Sequence, residues 1–208
     1  MNNRAAIFID RDGTINEEVG YLDHPSRLKL FPWSAEAIRL INGSPFKAVL
    51  VTNQSGVARG YFTEELVEQI HEKLQEELAK GGAKLDAIYY CPHHPDFGPP
   101  QYRQDCSCRK PKTGLLERAA RDLNLELSNC YVIGDKYIDV QMAHRAGARA
   151  VLVLSGYGLD EYKRRRADAQ TGLRGDWPRE PDFVAENLLE AVKWILERWP
   201  NAHRYKND

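Results

Sequence analysis

The sequence predicts an α/β protein built on a doubly wound, Rossmann-like parallel sheet. Short apolar runs alternate along the chain with longer segments of helical periodicity, which is the pattern of parallel strands joined by crossover helices. Three apolar runs end abruptly in polar residues, namely Asp10-Arg11-Asp12-Gly13, Thr52-Asn53-Gln54-Ser55 and Gly134-Asp135-Lys136. Because parallel strands present their carboxyl ends at one edge of the sheet, where such sheets bind ligands, we expect these segments to form one site.

The strands are predicted from the short apolar runs. They cover residues 5–9, 46–51, 85–90, 130–133 and 150–154, with a short extended return at 28–31. Continuous apolar runs of this kind are typical of strands that helices cover on both faces of a sheet. A sixth short strand, or an extended entry, is predicted from Phe183 onward.

The helices are predicted from periodic apolar positions and from their end signals. Pro32 opens a helix over residues 33–42, and Thr63 caps a second helix that ends at Gly81-Gly82. Further helices are predicted at 112–124, 140–146 and about 185–199, the last of which closes the fold. Residues 157–181 give no clear element, and the basic run at 163–166 is interpreted as a solvated helix face.

Length and composition favour one domain spanning residues 1–208. A chain of 208 residues with 42% hydrophobic content can bury a sizeable core. The formal net charge of −1 gives no reason to expect nucleic acid or a membrane surface as a partner. No secretory pattern is evident, and no apolar run approaches the roughly 18 residues of a membrane-spanning helix. We therefore expect a soluble cytoplasmic protein that is a monomer.

The convergent polar residues suit phosphoryl transfer. A carboxylate can attack a phosphoryl group to give an aspartyl phosphate, which divides one difficult hydrolysis into two easier displacements. Asp10 is the predicted nucleophile. Asp12, two positions later, is predicted to protonate the leaving oxygen and then to activate water for the second step.

Such a site also requires positive charge. Carboxylates and phosphate oxygens repel one another, so Asp10 and Asp135 are predicted to bind Mg²⁺. Lys110 and the Thr52 hydroxyl are predicted to hold the transferring phosphoryl oxygens. Asp139 is predicted to support the site or begin a helix, and not to bind the metal.

Three cysteines and a histidine in one loop predict a zinc site. The predicted ligands are Cys91, His93, Cys106 and Cys108, in a loop at about 91–108, with His94 as the alternative to His93. Four protein ligands leave no position for water, so this zinc would be structural. It would hold Arg109 and Lys110 over the phosphate. Cys130, at the start of an apolar strand, is expected to be a core thiol.

The motifs resemble those of the haloacid dehalogenase superfamily of phosphotransferases. The matching residues, in chain order, are Asp10-x-Asp12-Gly13-Thr14, Thr52, Lys110 and Gly134-Asp135-x-x-x-Asp139. Residues 8–16, 52–62, 106–111 and 134–136 resemble more closely the subgroup that contains heptose 1,7-bisphosphate 7-phosphatases and histidinol-phosphatase domains. This resemblance covers most of the chain. The chain departs from the subgroup's pattern at residues 160–181, which are longer and more basic than expected.

The resemblance implies a set of functional residues. Asp10 would be the nucleophile and Asp12 the acid/base, with Mg²⁺ on Asp10, Asp135 and the backbone carbonyl of Asp12, and with Zn²⁺ in the cysteine loop. Substrate contacts would be made by Glu18, Val19, Gly20, Tyr21, Thr52, Asn53, Gln54, Ser55, Arg109, Lys110 and Lys136. The implied activity belongs to carbohydrate metabolism, in the synthesis of lipopolysaccharide precursors.

The spacing of the motifs leaves no room for a large cap domain, so we expect an open pocket for a small phosphorylated molecule. Arg59, Arg109, Lys110 and Lys136 would bring more positive charge than one phosphate needs, which favours a sugar bisphosphate of either anomer. Arg59 is equally compatible with a solvated turn. His71, His144 and His203 are expected to have surface or helix-packing roles.

Other functions stay open at this point. Histidinol phosphate is the second candidate substrate, because the two activities share these motifs. A nucleic-acid 3′-end phosphatase would require a basic groove, for which only the run at 163–166 is available. A zinc-stabilised binding module without catalysis is disfavoured, because every expected catalytic position is present.

Overall fold

A computed structural model describes residues 4–171 and 178–202. Six strands form one sheet in which every neighbouring pair is parallel, in the order β3-β2-β1-β4-β5-β6. The strands are β1 (Ala6–Ile9), β2 (Lys47–Asn53), β3 (Ala87–Cys91), β4 (Tyr131–Gly134), β5 (Arg149–Val153) and β6 (Phe183–Ala185). The predicted doubly wound parallel sheet is confirmed.

Six α-helices flank the sheet in the described ranges. They are α1 (Ser34–Asn42), α2 (Glu64–Lys80), α3 (Gly114–Leu123), α4 (Tyr137–Arg145), α5 (Gly158–Thr171) and α6 (Leu188–Ala202). As predicted, Thr63 caps α2, because its hydroxyl accepts a hydrogen bond from the Leu66 amide. None of the described helices is long and apolar enough to cross a bilayer.

Successive side chains of the central strand β1 point to opposite faces of the sheet, so the core has two parts, one on each face. Ile7 and Ile9 pack with residues of α1, α2 and α6, whereas Ala6 and Phe8 pack with residues of α3 and α4. All four β1 side chains are fully buried, as expected for a strand covered on both faces. Cys130 is also buried, so the prediction of a core thiol is confirmed.

Two segments differ from the sequence prediction. Residues 28–31 make only an isolated bridge between Leu30 and Asn16, after a 3₁₀ turn at Pro25–Arg27. Residues 157–181, for which the sequence predicted no clear element, contain α5. This helix was missed because its sequence is mostly charged, although Tyr162 on one face packs against the core. Residues 172–177 of that segment, and His203, lie outside the described residues.

The basic run on α5 fits the interpretation as a solvated helix face. Lys163, Arg164 and Arg166 are exposed. Arg165 folds back over the Tyr137 ring and forms an ion pair with Glu180. The run therefore does not form a continuous basic groove.

Candidate active site

The three polar strand ends meet because β1 lies between β2 and β4. Ile9 is in register with Leu50 on one side and with Ile133 on the other, so the residues that follow are neighbours at the same edge. They line a cleft of about 220 Å³ that also receives Arg109 and Lys110 from the connection between β3 and α3. That connection, residues 92–113, contains no regular helix or strand.

Lys110 lies between two carboxylates at the bottom of the cleft. Its Nζ is 2.9 Å from Asp10 Oδ2 and 2.7 Å from Asp139 Oδ1, and all three side chains are almost completely buried. Burial alone would lower the pKa of Lys110, but the two carboxylates outweigh it and raise that pKa. The ammonium group therefore stays charged beside the predicted nucleophile.

Asn53 fixes the backbone that carries this lysine. Its Oδ1 accepts a hydrogen bond from the Lys110 amide at 3.1 Å, and its Nδ2 donates to the Lys110 carbonyl at 3.3 Å. The side-chain amide thus ties the end of β2 to the loop before α3. Asn53, predicted as a substrate contact, has this bracing role as well as lining the cleft.

Asp135 is the buried carboxylate behind Asp10. Its Oδ2 accepts a hydrogen bond from the Tyr157 amide at 2.9 Å, whereas its Oδ1 has no hydrogen-bond partner among the described protein groups. Burial, reinforced by the nearby Asp10 charge, raises the pKa of Asp135 to about 8. A divalent cation would relieve this crowding of carboxylates.

The donor set in this corner fits Mg²⁺. Asp10, Asp135 and Asp139 each bring a carboxylate oxygen within 4.8 Å of the others, and oxygen ligands are those that Mg²⁺ prefers. Asp139 differs from the other two, because Lys110 already neutralises it and its Oδ2 accepts from the Lys136 amide at the start of α4. This geometry agrees with the predicted supporting role of Asp139.

Gly13 keeps the space beside Asp135 open. Its φ is +78°, and a Cβ added there would lie 2.2 Å from Asp135 Oδ2. Both the backbone conformation and the close approach require glycine. The Asp-x-Asp-Gly pattern is therefore a packing requirement as well as a chemical one.

Asp12 is held by four N–H donors. Arg11 donates to both carboxylate oxygens, Nε to Oδ1 at 3.1 Å and Nη2 to Oδ2 at 2.9 Å. Asn16 and Gln54 donate to one oxygen each, at 3.0 and 3.1 Å. Burial alone would raise the pKa of Asp12, but the Arg11 charge and these hydrogen bonds lower it.

Most of the predicted substrate contacts line the cleft. The members that do so are Glu18, Gly20, Tyr21, Thr52, Asn53, Gln54, Ser55, Arg109, Lys110 and Lys136. Val19 is not among the lining residues, although its neighbours are, so this residue is not brought to the cleft. Thr52 is buried, and its hydroxyl accepts a hydrogen bond from Gln54 Nε2 at 2.9 Å.

Arg59, predicted either as a phosphate clamp or as part of a turn, does not line the cleft. Its guanidinium lies 3.9 Å from the centre of the Phe97 ring, and its Nη2 is 3.1 Å from His94 Nε2. It therefore braces the β3–α3 loop. This contact also engages His94, which leaves His93 as the histidine of the cysteine cluster.

The cysteine cluster has the composition and spacing of a tetrahedral zinc site. The candidate ligand atoms of Cys91, His93, Cys106 and Cys108 all lie within 4.8 Å of one another. The Sγ–Sγ distances are 3.5 Å for Cys91–Cys106 and 3.2 Å for Cys106–Cys108. His93 Nδ1 lies 3.3 Å from Cys108 Sγ and 3.8 Å from Cys91 Sγ. Ligands at ordinary zinc distances would be about 3.5 to 3.8 Å apart, so the residues present fit this metal.

Sequence comparisons identify the family. The D-glycero-D-manno-heptose-1,7-bisphosphate 7-phosphatase of Thermosynechococcus vestitus is 40% identical over 201 residues, which cover 92% of this chain and 95% of the relative. This chain belongs to the heptose bisphosphate phosphatase family. The D-glycero-beta-D-manno-heptose-1,7-bisphosphate 7-phosphatase of Escherichia coli K12 is 39% identical over 175 residues, with coverages of 84% and 92%.

Structural and family-model comparisons agree with this assignment to the heptose bisphosphate phosphatases. A HAD-hydrolase-like family model matches residues 107–191. The D,D-heptose 1,7-bisphosphate phosphatase from B. bronchiseptica, complexed with magnesium and phosphate, superposes with a TM-score of 0.79 at 32% identity. The match covers 94% of this chain and 99% of that structure. The resemblance to the haloacid dehalogenase superfamily is thereby confirmed, and the chain is a phosphoric monoester hydrolase.

Sequence reasoning missed several residues of this phosphatase cleft. Arg11, Leu22, Gly56 and Ile138 also line it. The sequence does contain a signal for Arg11, because this cation stands between the two aspartates of the motif. His71, expected on a surface or in helix packing, is buried against Arg11, with Nε2 3.3 Å from Arg11 Nη1.

Proposed function

We propose that this chain is a Mg²⁺-dependent phosphatase that removes the 7-phosphate of D-glycero-D-manno-heptose 1,7-bisphosphate through an aspartyl phosphate. The observation that carries the proposal is the arrangement around Asp10. Its carboxylate opens on the cleft, and the buried Lys110 ammonium lies 2.9 Å away. Asp135 Oδ1 lies behind that carboxylate and has no hydrogen-bond partner among the described residues. This arrangement supplies a nucleophile and the charges that phosphoryl transfer requires.

The reaction would proceed in two displacements at phosphorus. In the first, an Asp10 oxygen bonds to phosphorus while the bond to the C7 oxygen breaks, and Asp12 gives its proton to that leaving oxygen. In the second, Asp12 takes a proton from water, whose oxygen displaces Asp10 and releases inorganic phosphate. The negative substrate would raise the pKa of Asp12 from its lowered resting value, which favours the acid form needed first.

Mg²⁺ would be held by Asp10, Asp135 and the backbone carbonyl of Asp12. When bound, it supplies positive charge that offsets the repulsion between the carboxylates and the phosphoryl oxygens. Lys110 places a positive charge beside the Asp10 carboxylate, through the 2.9 Å contact between its Nζ and Asp10 Oδ2. The Thr52 hydroxyl and neighbouring backbone N–H groups would hold the phosphoryl oxygens.

A structural zinc in the cysteine loop completes the proposal. The loop's connection to the cleft is direct, because Arg109 follows Cys108 and its Nη1 donates to the His93 carbonyl at 3.1 Å. Zinc would fix both ends of this contact. It would contribute to activity by holding Arg109 and Lys110 in place, and not by activating water.

Removal of a zinc ligand should lower metal content first and activity second. We expect the wild-type protein, purified without chelators and under reducing conditions, to contain about one zinc per chain by elemental analysis. Cys106→Ser and Cys108→Ser should lose most of it and show reduced turnover. Cys130→Ser is the matched control, because this buried thiol lies outside the cluster. Zinc-free wild-type protein, with loop variants that behave normally, would contradict the proposed zinc site.

Arg109 favours a substrate with a second anionic group. It lines the cleft, and none of the described carboxylates lies within ion-pair distance of its guanidinium. Lys110, in contrast, is neutralised by two carboxylates, and Lys136 is 3.4 Å from Glu18. A planar guanidinium without a carboxylate partner is suited to bind phosphate or sugar oxygens with two hydrogen bonds.

The choice between substrates should follow from this charge. We expect kcat/KM for the heptose 1,7-bisphosphate to exceed that for histidinol phosphate at least about tenfold, which is about 1.4 kcal/mol of transition-state discrimination. The positively charged amine of histidinol would be repelled by the Arg109 guanidinium. The test measures phosphate release from both bisphosphate anomers and from histidinol phosphate in parallel.

Arg109→Ala should reduce this preference, since it removes the cation assigned to the second phosphate. Arg103→Ala, at an exposed position of the same loop, is the control and should retain the preference. Equal or reversed values of kcat/KM in the wild-type enzyme would favour histidinol phosphate as the substrate.

A further inference from the structure

Arg11 is a buried cation that the two proposed displacements do not use. Its side chain is only 1% exposed, and it grips the Asp12 carboxylate through Nε and Nη2. Asn16 and Gln54 each contact a single oxygen, and such bonds still permit the carboxylate to tilt. A two-pronged guanidinium contact fixes both oxygens in one plane.

The third guanidinium nitrogen of Arg11, Nη1, contacts His71 of α2. Arg11 Nη1 lies 3.3 Å from His71 Nε2, and arginine can only donate, so the imidazole nitrogen accepts. Burial and the adjacent Arg11 charge lower the pKa of His71 to about 3, so the ring is neutral and able to accept. The Tyr90 ring packs against the imidazole with centroids 5.6 Å apart.

We propose that His71 and Arg11 are positioning residues for Asp12: His71 fixes the plane of the Arg11 guanidinium, and Arg11 fixes the carboxylate toward the leaving oxygen. This inference rests on the proposed function, in which Asp12 moves the proton. A long arginine side chain whose guanidinium contacts Asp12 alone would retain rotational freedom. The second contact, from Nη1 to His71 on helix α2, removes that freedom.

The role has a consequence that a purely structural contact would not have. Proton transfer requires Asp12 within hydrogen-bond distance of the leaving oxygen, so a misplaced carboxyl harms esters whose leaving group needs a proton. A sugar alkoxide is such a group. The p-nitrophenolate ion is stable without protonation, and its departure should be much less sensitive to the position of Asp12.

The experiment compares kcat/KM for p-nitrophenyl phosphate with kcat/KM for heptose 1,7-bisphosphate, whose C7 phosphate is the alkyl phosphate ester. Each kcat/KM value reports the steps up to departure of the leaving group. His71→Leu should lower the value for the alkyl ester at least about tenfold and that for p-nitrophenyl phosphate less than about threefold. His71→Gln, whose amide oxygen can accept from Arg11, should recover the alkyl activity to within about threefold of wild type.

Tyr90→Phe is the matched control, because it perturbs the same packing and removes only the hydroxyl that donates to Glu64. Its ratio between the two esters should equal that of wild type. Arg11→Lys, which keeps the charge but loses the fork, provides a second variant and should show the same loss on the alkyl ester as His71→Leu.

Equal losses on both esters, no loss, or failure of both the His71→Leu and Arg11→Lys variants to fold would overturn the positioning role. These outcomes leave the proposed function standing. Wild-type protein that hydrolyses neither ester in the presence of Mg²⁺ would instead contradict the proposed function itself, and the positioning role with it.

Discussion

Asp10→Asn should abolish turnover. The amide has the shape of the carboxylate but lacks the charge that attacks phosphorus and contributes to the metal site, so we expect kcat to fall at least about 10⁴-fold. The charge balance at the bottom of the cleft also changes, because Lys110 would retain only Asp139 as its partner. Phosphate release with saturating Mg²⁺ measures the effect, and a cooperative thermal transition confirms that the variant is folded.

Asp12→Asn is the informative partner of this variant. It retains the nucleophile and loses the proton carrier, so p-nitrophenyl phosphate should still transfer some phosphoryl group to Asp10 while release of that group is slow. Rapid quenching and mass analysis would detect the covalent phosphate. If Asp10→Asn hydrolysed substrate at near wild-type rates with Mg²⁺, the aspartyl-phosphate mechanism would be wrong.

Lys110→Met should damage both stability and activity. Lys110 is 3% exposed and neutralises two buried carboxylates, so its loss leaves an uncompensated negative cluster. Breaking a buried ionic contact of this kind costs about 3 to 5 kcal/mol of unfolding free energy. Loss of a cation that stabilises the transferring group costs about 10² to 10³ in kcat.

The two effects can be separated by measurement. Denaturant unfolding with and without Mg²⁺ reports the free energy of unfolding, and kcat at saturating substrate reports the chemistry. Lys112→Met is the matched control, because this half-exposed lysine lies two residues away and pairs with the exposed Asp105. A Lys110→Met variant with wild-type kcat would exclude the lysine from the chemistry.

The candidate zinc ligands and the proposed nucleophile illustrate how local sequence patterns can predict a site. Asp10 and Asp135 directly follow apolar strands, and strand order is restricted by right-handed crossovers, so their meeting at one edge follows from the pattern. Cys91 ends β3, and His93, Cys106 and Cys108 lie in the loop that follows, where their spacing limits the possible arrangements. In both cases the relevant information is contained within short stretches of chain.

The fold class, the convergence of Asp10, Thr52 and Asp135 and the clustering of the candidate zinc ligands were therefore determined by the sequence itself. Tertiary structure decided the contacts between residues far apart in the chain. It placed His71 on Arg11 and turned Arg59 away from the cleft toward the loop. The physical reason is that strand and helix periodicity fix which face a side chain occupies, whereas the partner it meets there depends on how separate elements pack.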